Sequence, residues 1–139
     1  MEQLSARINS LSPSATIAMN QKGRELKDKG VDVINLSVGE PDFMTPDHIK
    51  EAAKKAIDGP WHHYAPVAGY PDLLKAIVEK FKRENNLDYK PSNSMVSVGA
   101  KHSLANVMLC MINKGDEVIV PAPYWVSYAE QVKLAEGVN

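Results

Sequence analysis

The chain has 139 residues, 44% hydrophobic and 24% charged, and sixteen basic against seventeen acidic side chains leave a formal net charge of −1. That length holds one domain with a real core and is short for two, and the charge balance gives no electrostatic footing for nucleic acid or an anionic membrane as partner. No apolar run approaches the roughly 20 residues of a membrane span and no basic-then-apolar leader pattern opens the chain, so a cytoplasmic location is expected.

The first dozen residues, MEQLSARINSLS, are polar-rich and stop at Pro13, which predicts an arm rather than a packed element. From Ser14 to Lys29 the pattern is helical, with Ile17 and Leu26 on one side and Gly30 as the stop. The stretch VDVINLSVGEPDF predicts a short strand over 33–36 followed by a Gly-Glu-Pro-Asp turn. Thr45 before Pro46 reads as a hydroxyl cap with proline at the first helical position, and the helix it opens runs to Asp58 and ends at Gly59. The next stretch, GPWHHYAPVAGYP, is a loop. Pro71 opens another helix whose apolar stripe is Leu73, Leu74, Ile77, Val78 and Phe81, fading in RENN.

Strand MVSV, Gly99, an apolar helix over 100–112, a KGDE turn and strand VIVP then make a βαβ crossover, which implies parallel strands in a covered sheet. A last helix runs from about Ser127 to Ala135 and ends at Gly137. The fold class is therefore α/β. One βαβ unit leaves sheet edges and faces uncovered, so the chain is expected to be the front part of a larger protein. Cys110 lies in the apolar stretch LANVMLCMI and is expected to be a buried, reduced thiol.

In open parallel sheets ligands bind at the carboxyl ends of strands. Three stretches stand at such ends: SVGEPDF, VGAKHS and PAPYWVSY. In the second, Gly99 lets the backbone approach a ligand, and Ala100, Lys101 and His102 open a helix whose positive end suits an anion such as phosphate, with Lys101 adding charge and Ser103 a hydroxyl. An ordinary strand-to-helix turn, with glycine for close packing, is the other reading of the same residues. The chain holds neither a dinucleotide nor a nucleotide glycine fingerprint. Trp125 is placed to stack on a flat phosphorylated ring, with Pro121 and Pro123 stiffening its platform; core packing is its alternative role and the favoured one for Tyr124. Gly39 allows a carboxylate to reach backbone N–H groups, while Asp42 reads as a turn cap. Tyr64 offers a phenol to a phosphate. His62 and His63, adjacent and pointing apart, are poor joint ligands, and no metal site is expected.

The blocks INLSVGEPDFMTPDHIKEAAKKAI, YAPVAGYPDLLKAIVEKFKRENN, VSVGAKHSL and GDEVIVPAPYWVSYAE, in this order and spacing, closely resemble the N-terminal part of fold-type I aminotransferases, nearest to the bacterial aspartate aminotransferase branch of class I. The resemblance implies residues 1–12 as an arm, 13–45 as the helix and strand of the small-domain or linker region, and 46–139 as the first part of a large cofactor-binding domain with a mostly parallel sheet. It implies pyridoxal 5′-phosphate as cofactor. Gly39 resembles the residue whose backbone meets the substrate α-carboxylate; Tyr64 the tyrosine that reaches the cofactor phosphate of the neighbouring subunit; Gly99, Ala100 and Lys101 the turn that holds the phosphate; and Trp125 the aromatic that stacks on the ring and touches substrate. The family is homodimeric with shared active sites, and its arm packs on the partner.

His102 stands where glutamine is frequent in the family, and the helix after it is Met-rich. The segment that carries the family's Schiff-base lysine has no counterpart among these residues. The asparagine, the aspartate paired with the ring nitrogen and the carboxylate-clamping arginine are likewise unmatched. No catalytic residue is therefore expected here, and Lys101, placed at the phosphate, does not substitute. The implied reaction is transamination between an L-amino acid, aspartate first, and a 2-oxo acid such as 2-oxoglutarate, carried out by the full-length parent and not by these residues alone. Alternatives are a sibling with aromatic, alanine or kynurenine-type specificity, a lyase on the same fold, a non-catalytic module that binds pyridoxal phosphate, and a scaffold that only dimerises.

Overall fold

The computed structural model describes residues 4–139, so Met1–Gln3 of the expected arm lie outside the described residues. The chain divides into two compact units, one of residues 1–40 with 99–139 and one of residues 41–98.

The first unit is built on helices α1 (Ala6–Asn9), α2 (Ala15–Asp28), α5 (Gly99–Met111) and α6 (Ser127–Leu134), and the second holds α3 (Asp47–Ile57) and α4 (Pro71–Asn85). Local chemistry explains the ends of α2. The Ser14 hydroxyl accepts the Ile17 N–H, and Gly30 turns the chain out at φ +77°. Gly23 is buried on α2 because the segment after the helix comes close: an added Cβ would stand 3.2 Å from Asn35 Nδ2, which donates to Asn20 Oδ1 at 3.0 Å.

Within the expected arm, residues 6–9 form the short helix α1, capped by Ser5 and exposed along its length. The segment is tied to α6 and its exit twice: Arg7 pairs with Glu136 at 3.0 Å, and the Ser12 N–H donates to Glu130 Oε2 at 2.8 Å. The core of this unit sits on α6 and its exit, where Gln131, Val132 and Ala135 are buried and Val132 has no exposed surface. Gly137 is required there by space. A Cβ would lie 2.9 Å from Ile112 Cγ2 and 3.0 Å from Val132 Cγ1.

In the second unit α4 buries Leu74 and Val78, follows Pro71 at its first turn, and ends on Asn86 in the left-handed region. Trp61 packs edge-on against Tyr70, with ring centroids 4.9 Å apart. The Val96 N–H donates to Ala68 O at 2.9 Å, and a Cβ on Gly69 would come within 2.7 Å of Val96 Cγ2. The Thr45 cap is not made: α3 starts at Asp47, with Pro46 in the cap position and no side-chain cap. A proline there has no side-chain oxygen to accept an N–H of the first turn, and the chain enters the helix from its fixed φ instead.

The expected sheet is not formed among the described residues. Segments 33–36, 95–98 and 117–120 carry no ladder, and a single parallel bridge joins Glu117 to Val138. A strand exists only through a hydrogen-bonded neighbour, and the apolar side chains of these segments have no cover: Ile34, Leu36, Val98 and Ile119 are all 85–92% exposed. The same shortage of neighbours overturns the burial expected of Cys110, which is exposed on α5. No helix among the described residues is long and apolar enough to cross a membrane.

Candidate functional site

Within the first unit, three of the residues singled out in the sequence fall in one turn and a fourth touches it. Gly99 opens α5 at φ +78°, a conformation that strains any side chain, although nothing lies within 4 Å of where a Cβ would stand. Backbone conformation, not crowding, thus calls for glycine. The first N–H groups of an α-helix have no acceptor within the helix itself, so Ala100 and Lys101 bring donors and the positive end of the helix dipole to this point.

Lys101 is fixed at both ends. Its carbonyl accepts from Gln131 Nε2 at 2.7 Å, and its ammonium lies 4.5 Å from the centre of the Trp125 ring. The cation therefore engages the indole, where the sequence placed its charge at the anion. Trp125, 42% exposed, stands perpendicular to Tyr128 with centroids 5.7 Å apart. Tyr124, expected in the core, is half exposed instead. Ser103 turns its hydroxyl to the Gly99 carbonyl in a long contact of 3.5 Å.

Beside the turn is a cavity of about 370 Å³ whose wall includes Ser12, Ile17, Lys101, Glu130 and Gln131. Glu130 is its anionic member. The Lys133 ammonium, 2.8 Å away, and then the Ser12 N–H hold its carboxyl below the ordinary glutamate range, against a weaker opposing push from burial.

The remaining sequence candidates are not drawn in. Gly39 belongs to the first unit but has nothing within 4 Å of its added Cβ, and no hydrogen bond ties it to Lys101 or Trp125. Asp42 accepts no hydrogen bond as a turn cap. Tyr64 belongs to the second unit, where its side chain is fully exposed beside His62 and His63. Those two rings lie 4.3 Å apart, so they pack together rather than diverge, and His62 Nδ1 is 3.3 Å from Gly59 O. No group of three metal-ligating side chains occurs among the described residues.

Sequence reasoning missed Tyr128 and Gln131, the two α6 residues that hold Trp125 and Lys101. Their signal was the spacing 128, 131, which places an aromatic and an amide on one face of the helix that follows Trp125.

A helix start with a cation against an exposed indole can offer N–H donors to an anion and a flat face to a ring. Comparison with known proteins gives this geometry its family. Residues 31–138 match the model of aminotransferase class I and II. An aspartate aminotransferase of Bacillus sp. strain YM-2 is 52% identical over 99% of this chain and 35% of its own length, and a probable aspartate/prephenate aminotransferase of Thermus aquaticus is 51% identical over 99% and 36%. Among solved structures, the aspartate aminotransferase of Thermus thermophilus with maleate superposes with a TM-score of 0.92 at 50% identity, covering 99% of this chain and 36% of that one. The alanine aminotransferase of Pyrococcus furiosus does so with a TM-score of 0.90 at 36% identity, covering 97% and 35%. The chain belongs to the class I and II aminotransferase family. It spans about a third of the length of the curated relatives it matches.

Proposed function

We propose that this chain supplies the phosphate cradle and ring-stacking surface of a pyridoxal phosphate-dependent aminotransferase. The observation that carries the reading is the Lys101–Trp125 pair, 4.5 Å from cation to ring, seated on a helix that starts at a left-handed glycine. The residues present fit the cofactor. Ala100 and Lys101 bring N–H donors to a phosphate, Gly99 leaves open space above the turn, and Trp125 has surface free for a ring. When bound, the cofactor supplies the electron sink for a carbanion at the amino-acid Cα. This chain's part is to bind and orient, and Gly39 and Trp125 are its surfaces toward substrate.

The substrates on this reading are an L-amino acid, aspartate first, and a 2-oxo acid such as 2-oxoglutarate. Relatives named for aspartate, prephenate and alanine support the class and leave alanine-type specificity as the second reading. We read residues 46–139 as the opening part of a large domain whose parallel sheet takes up segments 95–98 and 117–120, in a cytoplasmic homodimer to which Tyr64 contributes across the subunit boundary. These 139 residues by themselves are inactive on this reading, since none of them occupies the position of the covalent lysine.

The test is an absorbance titration of the intact protein with pyridoxal phosphate, followed by aspartate and then 2-oxoglutarate. A near-visible band that shifts with the amino acid and returns with the oxo acid supports the reading; a protein that takes up no cofactor sinks it. Trp125→Leu is expected to weaken cofactor binding about two- to tenfold through the lost ring contact.

A further inference from the structure

Gln131 is an expensive residue in an inexpensive-looking place. It is 93% buried on α6, and while its Nε2 donates to the Lys101 carbonyl at 2.7 Å, its Oε1 is shielded from solvent with no partner. The orientation of the amide is not in question, because Lys101 O accepts only from the NH₂ end. A buried amide with one half orphaned destabilises the fold relative to an apolar side chain of the same size. A methionine or leucine at 131 would fill the same space beside Val132 and Ala135 without that penalty. What the amide adds is a side-chain donor to a Lys101 carbonyl that, inside α5, also stands in position to accept an N–H of the next helical turn.

The target of that donor is not a generic helix carbonyl. Lys101 lies in the first turn of α5, and its far end caps the Trp125 ring. Tyr128, one turn before Gln131 on α6, meets that same ring edge-on. The two α6 residues thus form a bracket, one arm on the indole and one on the peptide of the anion turn. A bidentate hold of this kind fixes where the N–H groups of the turn point, and preorganised donors cost no reorganisation when the anion arrives.

We propose that Gln131 is a positioning residue for the cofactor phosphate: it sets the orientation of the Gly99–Lys101 turn through the Lys101 carbonyl and touches neither cofactor nor substrate. This rests on the reading of the turn as a phosphate cradle.

The test compares the affinities of the intact protein for pyridoxal 5′-phosphate and for unphosphorylated pyridoxal, by equilibrium dialysis, in the parent and in Gln131→Met and Gln131→Leu. The parent is expected to prefer the phosphorylated form and to show competition by inorganic phosphate. The variants are expected to lose about three- to tenfold of that preference with pyridoxal affinity unchanged and a thermal midpoint equal to or above the parent's. A parent without phosphate preference overturns the cradle reading and this inference with it. A parent with the preference, kept in full by both variants, overturns the inference alone. So does failure of both variants to fold, which would make Gln131 a structural residue.

Discussion

Helices α5 and α6 lie in the same unit and pack along each other, yet their fates are opposite. From Leu104 to Met111, α5 is apolar apart from Asn106, and it buries no residue. The more polar α6 carries Glu130, Gln131 and Lys133, and it holds the core of the unit. What separates them is the number of sides on which each has a neighbour. The N-terminal segment, α5 and the Ile112–Gly137 contact surround α6, while α5 has α6 on one side and solvent on the other. Burial is a property of the surroundings, and composition states only a demand for it.

Four experiments break or sharpen that contrast. The largest effect is expected from Val132→Ala, which removes two fully buried methyl groups and should lower the unfolding free energy by about 2 kcal/mol, read as a shift in urea midpoint at unchanged slope. Gly137→Ala follows at about 1–2 kcal/mol, because the new methyl presses on Ile112 and Val132; a neutral result would mean that the exit of α6 yields easily.

Glu130 gives a smaller, pH-dependent term. Its carboxyl is held below the ordinary range in the folded chain, so the folded state binds the proton less readily than the unfolded one. Its contribution is complete above the ordinary carboxylate range and disappears as pH falls through the depressed folded value. With the side chain 28% exposed, solvent keeps it to under about 1 kcal/mol. Glu130→Gln should flatten that part of an acid unfolding curve, and an unchanged curve would remove the Ser12 contact from the account. The smallest change is expected from Leu109→Gln on the outer face of α5, within about 0.5 kcal/mol. A loss as large as that of Val132→Ala would show α5 covered in the protein measured, and the contrast would fall.

The same logic sorts what the sequence disclosed. Features set within a few residues were legible: the helix start at Ser14, the Gly30 exit and Pro71 at the start of α4. Features that depend on a distant partner were not. Residues 33–36, 95–98 and 117–120 have strand-like composition and no strand, since pairing is supplied from elsewhere or not at all. Cys110 was placed by its apolar neighbours in sequence and is exposed for want of neighbours in space. At the candidate site, the glycine, the lysine and the indole announced themselves by residue type. Gln131 did not, because a glutamine inside AEQVKLAEG looks like one more polar residue on a solvated helix face.

The ties holding the segment that follows α6 differ greatly in the length of chain they close. The Glu117–Val138 bridge joins positions about twenty residues apart, whereas the Arg7–Glu136 pair spans 129. Loop-closure entropy makes the longer tie dearer by about 1.5 kcal/mol, and it rests on an exposed ion pair of small worth. A hierarchy in time follows. The turn and helix of residues 113–138 can assemble early and stay shut, while the N-terminal segment docks last and leaves first. Amide hydrogen exchange should then be faster at Ser12 than at Val138, with the cavity beside Lys101 opening and closing on the schedule of the weaker tie.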